Sequence, residues 1–416
     1  SGDIVIIGTG DLRATGYNAT GIYASTNEYD SDITISNSLN TIVASANVNG
    51  QAYGIYAYSD GSGDIYITSS GIITATGGDA YGIYAATDND TLYSEYGAAG
   101  GNINITLGST SNISATATNM GGYGEYGSNS GGNAYGVYAR VEETTGNVSV
   151  TNAGRIVATA NGINATAAGI QATDEQDGRV SVTTTSSSVI SATANGLDGY
   201  AYGINAIAEY GDVLITNAGS ITAGASGSGG FSAGIRAESA FGTSISNSGT
   251  IGGTGSNPWA IVSYSGGNTV ISNSATGTIN GAIYTTGGND SLTNSGRWNV
   301  GNANSSYFEG GNDTIINNVG ARIFMDNSAI YMGSGTNAFL NNGRLFANND
   351  NVINMGNLAS VFTNNGSSIH MNDGVANDSL TIIGSFAGTG RIYVDANGTS
   401  MLADRLYIEG NVVTNT

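Results

Sequence analysis

The sequence lacks several residue types on which common protein chemistries depend. Its 416 residues include no Cys, one Pro and one His, and all ten basic residues are Arg. Without Cys, thiolate zinc sites, iron–sulfur clusters and disulfide frameworks are excluded. With a single His, His-rich metal sites are excluded and most catalytic triads have no base.

Charge is also scarce, and it is mostly of one sign. Charged residues make up 10% of the chain, against about 25% in ordinary globular proteins. Acidic residues outnumber basic ones 31 to 10, which gives a net charge of −21. A surface of this sign repels nucleic acid and anionic lipid, so the sequence predicts neither as a partner.

Glycine, in contrast, is abundant at 66 residues, and Ser, Asn and Thr fill much of the remainder. Collagen is excluded because the Gly residues have no three-residue period and Pro is almost absent. The composition alone leaves two alternatives, which are disorder and a regular β-rich array.

A tetrapeptide repeat decides between these alternatives. Gly-Ile-Tyr-Ala stands at 21–24, 54–57 and 82–85, and close variants follow it. Its aliphatic second residue recurs at positions 22, 55, 83, 137, 170, 204, 235, 261 and 283. A disordered sequence would not hold aliphatic residues in phase over so many copies, so the repeat favours the ordered array.

Two further strand-like tracks run in phase with this repeat. One alternates apolar and polar residues, as in 32–37 (Asp-Ile-Thr-Ile-Ser-Asn), and the other is shorter, as in 73–75 (Ile-Thr-Ala). Three short strands per repeat, with no helical pattern between them, predict an all-β solenoid of about 13 coils. Each strand then pairs in parallel with its equivalent one coil later, at a spacing of about 4.8 Å.

The two-residue period of a strand predicts which side chains form the core. In the first track we expect Ile33 and Ile35 to point inward and Thr34 outward. In the tetrapeptide repeat we expect Ile55 and Ala57 to face inward, which leaves Tyr56 outside.

Asn recurs at the end of the first track, and stacking of the coils would place these amides in one row. Each amide can then donate to the Asn of the next coil and bridge turn backbone, so we interpret the row as structural. The predicted members are Asn37, Asn152, Asn217, Asn247, Asn273, Asn294, Asn318, Asn341 and Asn364.

The repeats resemble the passenger domains of bacterial autotransporters, the pertactin-like secreted right-handed β-helices of Gram-negative bacteria. Three C-terminal stretches are similar to the last coils before the membrane barrel of that family: 379–384 (Ser-Leu-Thr-Ile-Ile-Gly), 388–395 (Gly-Thr-Gly-Arg-Ile-Tyr-Val-Asp) and 403–410 (Ala-Asp-Arg-Leu-Tyr-Ile-Glu-Gly). The resemblance implies a single right-handed parallel β-helix, with a repeat array over 1–378 and passenger-end coils over 379–416.

The resemblance also implies a location at the cell surface or outer membrane, or in the extracellular medium, of a Gram-negative bacterium. Precursors of that family carry a signal peptide and a membrane barrel, and the sequence has neither. We therefore expect a processed or truncated piece, whose contact with the membrane would be made only through a missing C-terminal barrel.

Tyrosine is the residue type to which we assign binding. A row of outward rings offers flat contact area with a polar tip, as binding surfaces do. A ladder that only stabilises neighbouring coils is the alternative, and it is favoured for the tyrosines that precede Gly, such as Tyr53 and Tyr81. The outward row consists of Tyr23, Tyr56, Tyr84 and Tyr138.

Two long insertions interrupt the array, at 86–101 and 119–133. Loops longer than about 12–15 residues are usually functional or disordered. Tyr anchors among small residues are typical of paratopes, so we interpret both insertions as contact loops. Their tyrosines are Tyr93, Tyr96, Tyr123 and Tyr126.

Asp3, Asp32 and Asp64 head the first track in three coils and would stack one coil apart. Like charges at that spacing repel, so these carboxylates either turn into solvent, which is favoured, or share a cation such as Ca²⁺. No other cofactor is predicted. The stretches 287–290 and 310–313 (both Gly-Gly-Asn-Asp) are similar to a calcium-binding nonapeptide, but no tandem copy follows, and we assign them ordinary turn chemistry.

Catalytic patterns are weak. There is no Gly-x-Ser-x-Gly hydrolase elbow, and His370 is expected on a late strand as a solvent-facing residue. A polysaccharide lyase or hydrolase needs two or three converging carboxylates, whereas the acids here are scattered.

The sequence therefore predicts a non-catalytic, cell-surface or secreted β-helix with a structural or adhesive role. Its partner would be a host or environmental glycan or protein, or the chain itself. A self-assembling filament or surface-layer subunit, formed by lateral or end-to-end association, is the first alternative, and a polysaccharide lyase or hydrolase is the second.

Overall fold

The computed structural model describes residues 2–27, 30–38, 41–88, 101–119, 122–124, 127–129, 131–142 and 145–413. The chain folds as a right-handed parallel β-helix, which confirms the predicted fold class. Strands come in triplets, and the three members of each triplet belong to three separate parallel sheets, called sheets 1, 2 and 3. Among the described residues, no helix has the length and apolar character that crossing a membrane requires.

The strands are short, mostly three to ten residues, and their bounds follow in chain order. The first 23 are β1 (Ile4–Gly8), β2 (Leu12–Gly16), β3 (Ala19–Thr26), β4 (Ile33–Asn37), β5 (Thr41–Ala46), β6 (Gln51–Asp60), β7 (Ile65–Ser69), β8 (Ile72–Gly77), β9 (Asp79–Asp88), β10 (Ile103–Leu107), β11 (Asn112–Ala117), β12 (Gly122–Gly124), β13 (Gly127–Asn129), β14 (Ala134–Val141), β15 (Val148–Asn152), β16 (Arg155–Ala160), β17 (Thr166–Asp174), β18 (Val180–Thr184), β19 (Val189–Ala194), β20 (Tyr200–Ala208), β21 (Asp212–Asn217), β22 (Ser220–Ala225) and β23 (Phe231–Ser239). The others are β24 (Gly242–Asn247), β25 (Thr250–Gly255), β26 (Pro258–Ser265), β27 (Asn268–Asn273), β28 (Thr278–Asn280), β29 (Ala282–Thr286), β30 (Ser291–Asn294), β31 (Arg297–Asn302), β32 (Ser305–Phe308), β33 (Thr314–Asn317), β34 (Arg322–Asp326), β35 (Ala329–Tyr331), β36 (Ala338–Asn341), β37 (Arg344–Asn348), β38 (Asp350–Asn354), β39 (Val361–Asn364), β40 (Ser368–His370), β41 (Ser379–Ile383), β42 (Ser385–Ala387), β43 (Arg391–Tyr393), β44 (Ala396–Asn397), β45 (Leu402–Ala403), β46 (Arg405–Glu409) and β47 (Val412–Val413).

The chain divides into two compact units. Unit 1 comprises Ser1–Phe241 and Gly252–Pro258, and unit 2 comprises Gly242–Ile251 and Trp259–Thr416. This division does not coincide with the boundary expected at 378/379. The stretch 379–413 contributes β41, β42, β43, β46 and β47 to the three sheets of unit 2, together with the antiparallel pair β44–β45.

Within unit 1, sheet 1 has the order β1-β4-β7-β10-β15-β18-β21, sheet 2 the order β2-β5-β8-β11-β16-β19-β22, and sheet 3 the order β3-β6-β9-β14-β17-β20-β23. Within unit 2, sheet 1 has the order β24-β27-β30-β33-β36-β39-β42-β47, sheet 2 the order β28-β31-β34-β37-β40-β43, and sheet 3 the order β26-β29-β32-β35-β38-β41-β46. Sheet 3 thus has seven strands in each unit, which makes 14 coils where about 13 were predicted.

Alternation along the strands sets the core as predicted. Ile33 and Ile35 on β4 are buried and Thr34 between them is half-buried. On β6, Ile55 and Ala57 are buried and Tyr56 lies outside. Parallel pairing in register repeats this pattern from coil to coil, so each inward residue type forms a column.

The predicted row of Asn side chains is confirmed in unit 2, with one correction. In unit 2 each Asn donates through Nδ2 to the Oδ1 of the next, with N···O distances of 2.7–2.9 Å. The member on β33 is Asn317, not the predicted Asn318, because Asn317 is the last inward residue of the strand and Asn318 already lies in the turn. The row consists of Asn247, Asn273, Asn294, Asn317, Asn341 and Asn364.

In unit 1 the equivalent position of the sheet 1 strands is occupied by several residue types, so the row of Asn side chains is interrupted. The column reads Asn37, Ser69, Leu107, Asn152, Thr184 and Asn217. Asn37 donates to Ser69 Oγ (3.1 Å) and Thr184 Oγ1 donates to Asn217 Oδ1 (2.5 Å). Leu107 has no polar group and breaks the chain of hydrogen bonds.

The carboxyl groups assigned to turns at 290 and 313 are instead part of the interior of unit 2. Asp290 is 1% exposed and Asp313 is 0% exposed. The backbone N–H of Asp290 donates to Asp313 Oδ1 (2.9 Å), and that of Thr269 donates to Asp290 Oδ1 (2.7 Å). Turn chemistry alone was therefore wrong for these two residues, because both side chains are buried and each accepts a backbone N–H of the preceding coil.

Candidate functional site: a tyrosine double ladder

The outward row of tyrosines is a regular stack on sheet 3 of unit 1. Neighbouring rings have centroids 5.1, 4.9 and 5.2 Å apart, and each pair of ring planes differs by 3°. The register of the strands pairs each ring with its equivalent one coil later. Its members are the predicted Tyr23, Tyr56, Tyr84 and Tyr138.

A second stack runs beside the first. It consists of Tyr53, Tyr81 and Tyr135, with centroids 4.8 and 5.2 Å apart. Its rings meet those of the first stack edge to face, as in Tyr53–Tyr56 (5.2 Å, 84°) and Tyr135–Tyr138 (5.1 Å, 74°). We call these seven residues together the tyrosine double ladder.

The Gly inside each repeat is what brings the two stacks to one face. A Cβ on Gly54 would lie 2.2 Å from Ile73 Cγ2 and 2.5 Å from the carbonyl oxygen of Gly82, so no larger residue fits. Gly54 and Ile55 both face inward, which shifts the alternation by one residue. Tyr53 and Tyr56, three residues apart, therefore both point outward, whereas a regular strand would place them on opposite faces.

Partial burial makes several phenol groups of the double ladder harder to ionise. Burial, with the neighbouring phenol of Tyr56 and the carboxylate of Asp79, raises the pKa of Tyr53 to about 12. Burial is also the main cause of the raised pKa of Tyr81, Tyr84 and Tyr135. These four phenol groups are therefore uncharged over the physiological pH range.

The stacking determines which part of each ring meets a partner. Faces inside each stack are covered by the next ring, so ring edges and hydroxyl groups form the outer strip. Tyr23 differs from the rest, since it is 65% exposed. On the far side, Tyr138 is followed in register by Gln171, and Arg140 forms ion pairs with Glu142 and Glu175 at 2.5 and 2.6 Å.

The first insertion begins later than expected, and most of the tyrosines of the two insertions lie outside the described residues. Residues 86–88 belong to β9, whose buried Ala86 pairs with Arg140 of β14, so they are not part of the first insertion. Gly132 N–H donates to Asn119 O (2.9 Å) and closes the base of the second. Tyr123 lies on β12, which pairs antiparallel with β13. Tyr93, Tyr96 and Tyr126 lie outside the described residues.

Asp3, Asp32 and Asp64 head strands of sheet 1 that pair in register, as predicted. Each uses Oδ1 to accept a backbone N–H of the next coil: Asp3 from Asp32 (3.2 Å), Asp32 from Asp64 (2.8 Å) and Asp64 from Asn102 (2.7 Å). Within the described ranges, no group of three or more His, Cys, Asp or Glu side chains is placed to hold a metal ion. The shared cation stays a prediction.

One set of exposed residues was missed by the sequence reasoning. Four of the ten arginines occupy the same position in sheet 2 of unit 2, beside a stack of rings that includes the single His, His370. His370 lies on β40 as predicted, but packed between Phe346 and Tyr393. The signal was available as a small residue, Arg and a large apolar residue in 296–298, 321–323, 343–345 and 390–392.

We compared the chain with known protein families, curated proteins and solved structures. No protein-family model, no curated protein and no solved structure matches this chain.

Proposed function

We propose that this chain is a non-catalytic β-helix of the autotransporter-passenger type, displayed on or secreted by a Gram-negative bacterium, and that it acts by contact through the tyrosine double ladder. The observation that carries the proposal is the interlocking of seven tyrosines on one outward face. The resemblance of the C-terminal stretches to passenger-end coils supports the cellular location.

The choice of residue supports a binding role beyond stabilisation. Stacking alone needs only aromatic rings, and unit 2 uses Phe324 and Phe346 for a comparable outward stack with centroids 4.7 Å apart. In the double ladder all seven positions are Tyr, which adds a row of hydroxyl groups repeating once per coil. Such a row offers hydrogen bonds and ring edges to a glycan or a protein, the two partner classes we propose.

The test separates the hydroxyl groups from the stack. A Tyr56→Phe/Tyr84→Phe/Tyr138→Phe variant keeps every ring and removes three hydroxyl groups. We expect it to lose binding about tenfold or more on glycan and protein arrays, with its melting temperature close to wild type. The control is Tyr17→Phe/Tyr210→Phe, which alters two exposed tyrosines outside the ladder. Wild-type binding by the triple variant would refute the proposal.

Self-association along the same face is the second candidate, because the outer strip of edges and hydroxyl groups is uncharged and repeats once per coil. Concentration-dependent light scattering and electron micrographs of the purified chain separate it from heterotypic adhesion. Ordered polymers that the triple variant fails to form would favour self-association. A reducing-sugar release assay tests the lyase or hydrolase alternative, and we expect it to be blank.

A further inference from the structure

A column of arginines runs along sheet 2 of unit 2. Arg297 pairs in register with Arg322, Arg322 with Arg344, Arg344 with Ser368, and Ser368 with Arg391. All four arginines are exposed. The column therefore concentrates four of the chain's ten basic residues in five successive coil positions, the remaining position being Ser368, in a protein whose net charge is −21.

Within the described residues, none of these four arginines forms an ion pair with a carboxylate. The ion pairs among the described residues involve Arg140, Arg179 and Arg236, all in unit 1. Arg297 donates from Nε to Asn299 Oδ1 (2.8 Å), and its guanidinium carbon lies 4.2 Å from the centroid of the Phe324 ring. Like charges one coil apart repel, so an anion that bridges them removes an unfavourable interaction as well as adding a favourable one.

A stack of rings flanks the arginine column two residues further along each strand. Phe324, Phe346, His370 and Tyr393 follow one another with centroids 4.7, 4.8 and 4.7 Å apart and planes within 19° of each other. His370 Nε2 also lies 2.8 Å from Oγ of Ser368, the residue that occupies the arginine position on β40. The stack gives the column a rigid wall and limits the directions in which the arginine side chains can extend.

The column borders an open groove of about 800 Å³. Its lining includes Arg322, Arg344, Arg391, Ser368 and Thr389, together with the small residue Gly366. Among the described residues that line it there is no Asp or Glu. The groove thus offers guanidinium and hydroxyl donors in a line that follows the coils.

We propose that this groove binds an acidic polysaccharide, with its carboxylate or sulfate groups held by Arg322, Arg344 and Arg391. Guanidinium groups form bidentate, charge-assisted hydrogen bonds with such anions. Ser368 and Thr389 then face the sugar hydroxyl groups. The site is separate from the tyrosine double ladder and does not depend on the function proposed for it.

One feature of the site favours a glycan over a nucleic acid. Single-stranded nucleic acids bind by stacking bases on free aromatic faces, but Phe346 and His370 each lie between two rings, and Phe324 lies between Phe346 and the guanidinium of Arg297. Tyr393 ends the stack and is 38% exposed, so it offers one ring face to a ligand. The charge of unit 2 permits an anionic ligand. Unit 2 holds five Arg and ten acidic residues, against five and 21 in unit 1, and Asp290, Asp313, Asp378 and Asp404 of unit 2 are buried. Screening over about 8 Å limits repulsion of that ligand by distant acids.

The experiment measures the affinity of the 416-residue chain for polymers that differ in charge. Dextran sulfate, polygalacturonate, neutral dextran and a single-stranded oligonucleotide are titrated at low and at physiological salt. We expect both acidic polysaccharides to bind with an affinity that falls as salt rises, and neutral dextran not to bind. Binding of neutral dextran, or tighter binding of the oligonucleotide than of either acidic glycan, overturns the proposal.

An Arg322→Gln/Arg344→Gln variant locates the site. Because both side chains are exposed, we expect an unchanged melting temperature, about tenfold weaker glycan binding and a shallower salt dependence. The matched control is Arg155→Gln, which alters the same strand position on β16 of unit 1, where the column neighbours are Asn112 and Val189. Equal losses in the variant and the control place binding elsewhere and refute the assignment.

A second copy of this chain is the other candidate to occupy the groove. Sedimentation of the wild type and of the double variant tests for it. A wild-type oligomer that the double variant loses, with no glycan binding by either, refutes the glycan in favour of self-association. A monomer in both, together with the glycan results above, supports the proposal.

Discussion

Units 1 and 2 form the same three-stranded coil from strands of different length and with different core residues. In unit 1 the strands of sheet 3 are 8–10 residues long, and a cluster of 17 buried alanines fills the space between sheets. In unit 2, from β29 onward, they are 3–5 residues long, and the largest buried side chains include Trp298, Phe308, Phe339 and Phe362. Unit 1 places its aromatic stack outside, whereas unit 2 also places large rings inside.

The difference follows from coil length. Successive Asn residues of the unit 2 row are 21–26 positions apart. The steps of the tetrapeptide repeat in unit 1 are 28–34 residues long, except for the step from 83 to 137, which contains both insertions. A shorter coil has fewer inward positions, so each must carry a larger side chain to reach the packing density of a protein interior. A longer coil lets sheets 2 and 3 approach through Ala and Gly, and its stabilising contacts then move to the surface as the tyrosine double ladder.

The largest expected effect tests the large-residue core of unit 2. Phe339 is 0% exposed and its ring lies 4.8 Å from that of Phe362. Phe339→Ala should lower the free energy of unfolding by about 3–5 kcal/mol, because it removes apolar contacts and leaves a cavity. Ile215→Val in the core of unit 1 is the mild counterpart, at about 0.5–1.5 kcal/mol. Equal losses in guanidinium titrations would show that the two cores do not differ as described.

The next effect concerns the buried carboxyl groups of unit 2. Burial raises the pKa of Asp290 and of Asp313 to about 6, against 3.8 for an exposed Asp. The folded protein therefore holds more protons than the unfolded chain between pH 4 and 6, so stability falls as pH rises through this window, by about 3 kcal/mol for each of the two carboxyl groups. Denaturant titrations from pH 4 to 7.5 measure the slope.

Asp313→Asn is the control, since an amide Oδ1 still accepts the N–H of Asp290 without a charge. We expect a shallower slope in this variant. A residual slope remains because burial also raises the pKa of Asp378 to about 6 and that of Asp174, in unit 1, to about 7. Stability that rises between pH 4 and 7 would contradict the assignment of these carboxyl groups to the interior.

The third prediction uses the Asn row, which is continuous only in unit 2. Asn317 accepts from Asn294 and donates to Asn341 Oδ1 (2.8 Å) and Arg344 O (3.2 Å). Asn317→Ala removes the donor of the buried Asn341 Oδ1 and one of the acceptors of Asn294 Nδ2, and should cost about 2–3 kcal/mol. The neighbouring Asn318 lies in the turn and donates to Ser295 Oγ. Asn318→Ala should therefore lower the free energy of unfolding by less than about 1 kcal/mol. If Asn318→Ala lowers the melting temperature more than Asn317→Ala does, the assignment of Asn317 rather than Asn318 to the row is wrong.

The smallest expected effect is at the tyrosine double ladder. Tyr81 stacks between Tyr53 and Tyr135 and meets Tyr84 and Tyr138 edge to face. Tyr81→Leu should cost about 1–2 kcal/mol and reduce the near-ultraviolet circular dichroism, whereas Tyr81→Phe should change stability by less than about 0.5 kcal/mol. If Tyr81→Phe lowers the free energy of unfolding as much as Tyr81→Leu does, the hydroxyl group rather than the ring stack stabilises the coils.

Much of the fold was predictable because it depends on local periodicity. The alternation around Ile33, Ile35 and Ile55 identified the core, and the phase of the tetrapeptide repeat identified the coils. The tyrosine row was also predictable, since parallel pairing in register stacks equal positions. Asn318 was wrong because a strand end can be placed only to within a residue or two from sequence, and two adjacent Asn residues compete for one inward position.

The arginine column and the buried acids show what periodicity does not reveal. Arg322 and Arg344 are 22 residues apart in sequence, and nothing local marks them as neighbours until the coil length is known. Asp290 and Asp313 follow Gly-Gly-Asn, a typical turn sequence, and only the surrounding coils decide that their carboxyl groups point inward.

By itself, the sequence determined the β-helix, the low content of charged residues and the identity of the stacked residues, because composition, strand alternation and repeat phase are properties of the chain alone. The tertiary structure decided what those residues form together. The Gly bend joins two tyrosine stacks into one face, the shorter coils of unit 2 require large core residues, and register gathers four scattered arginines into one column. These outcomes depend on which coils are adjacent and how closely they pack, which no single repeat encodes.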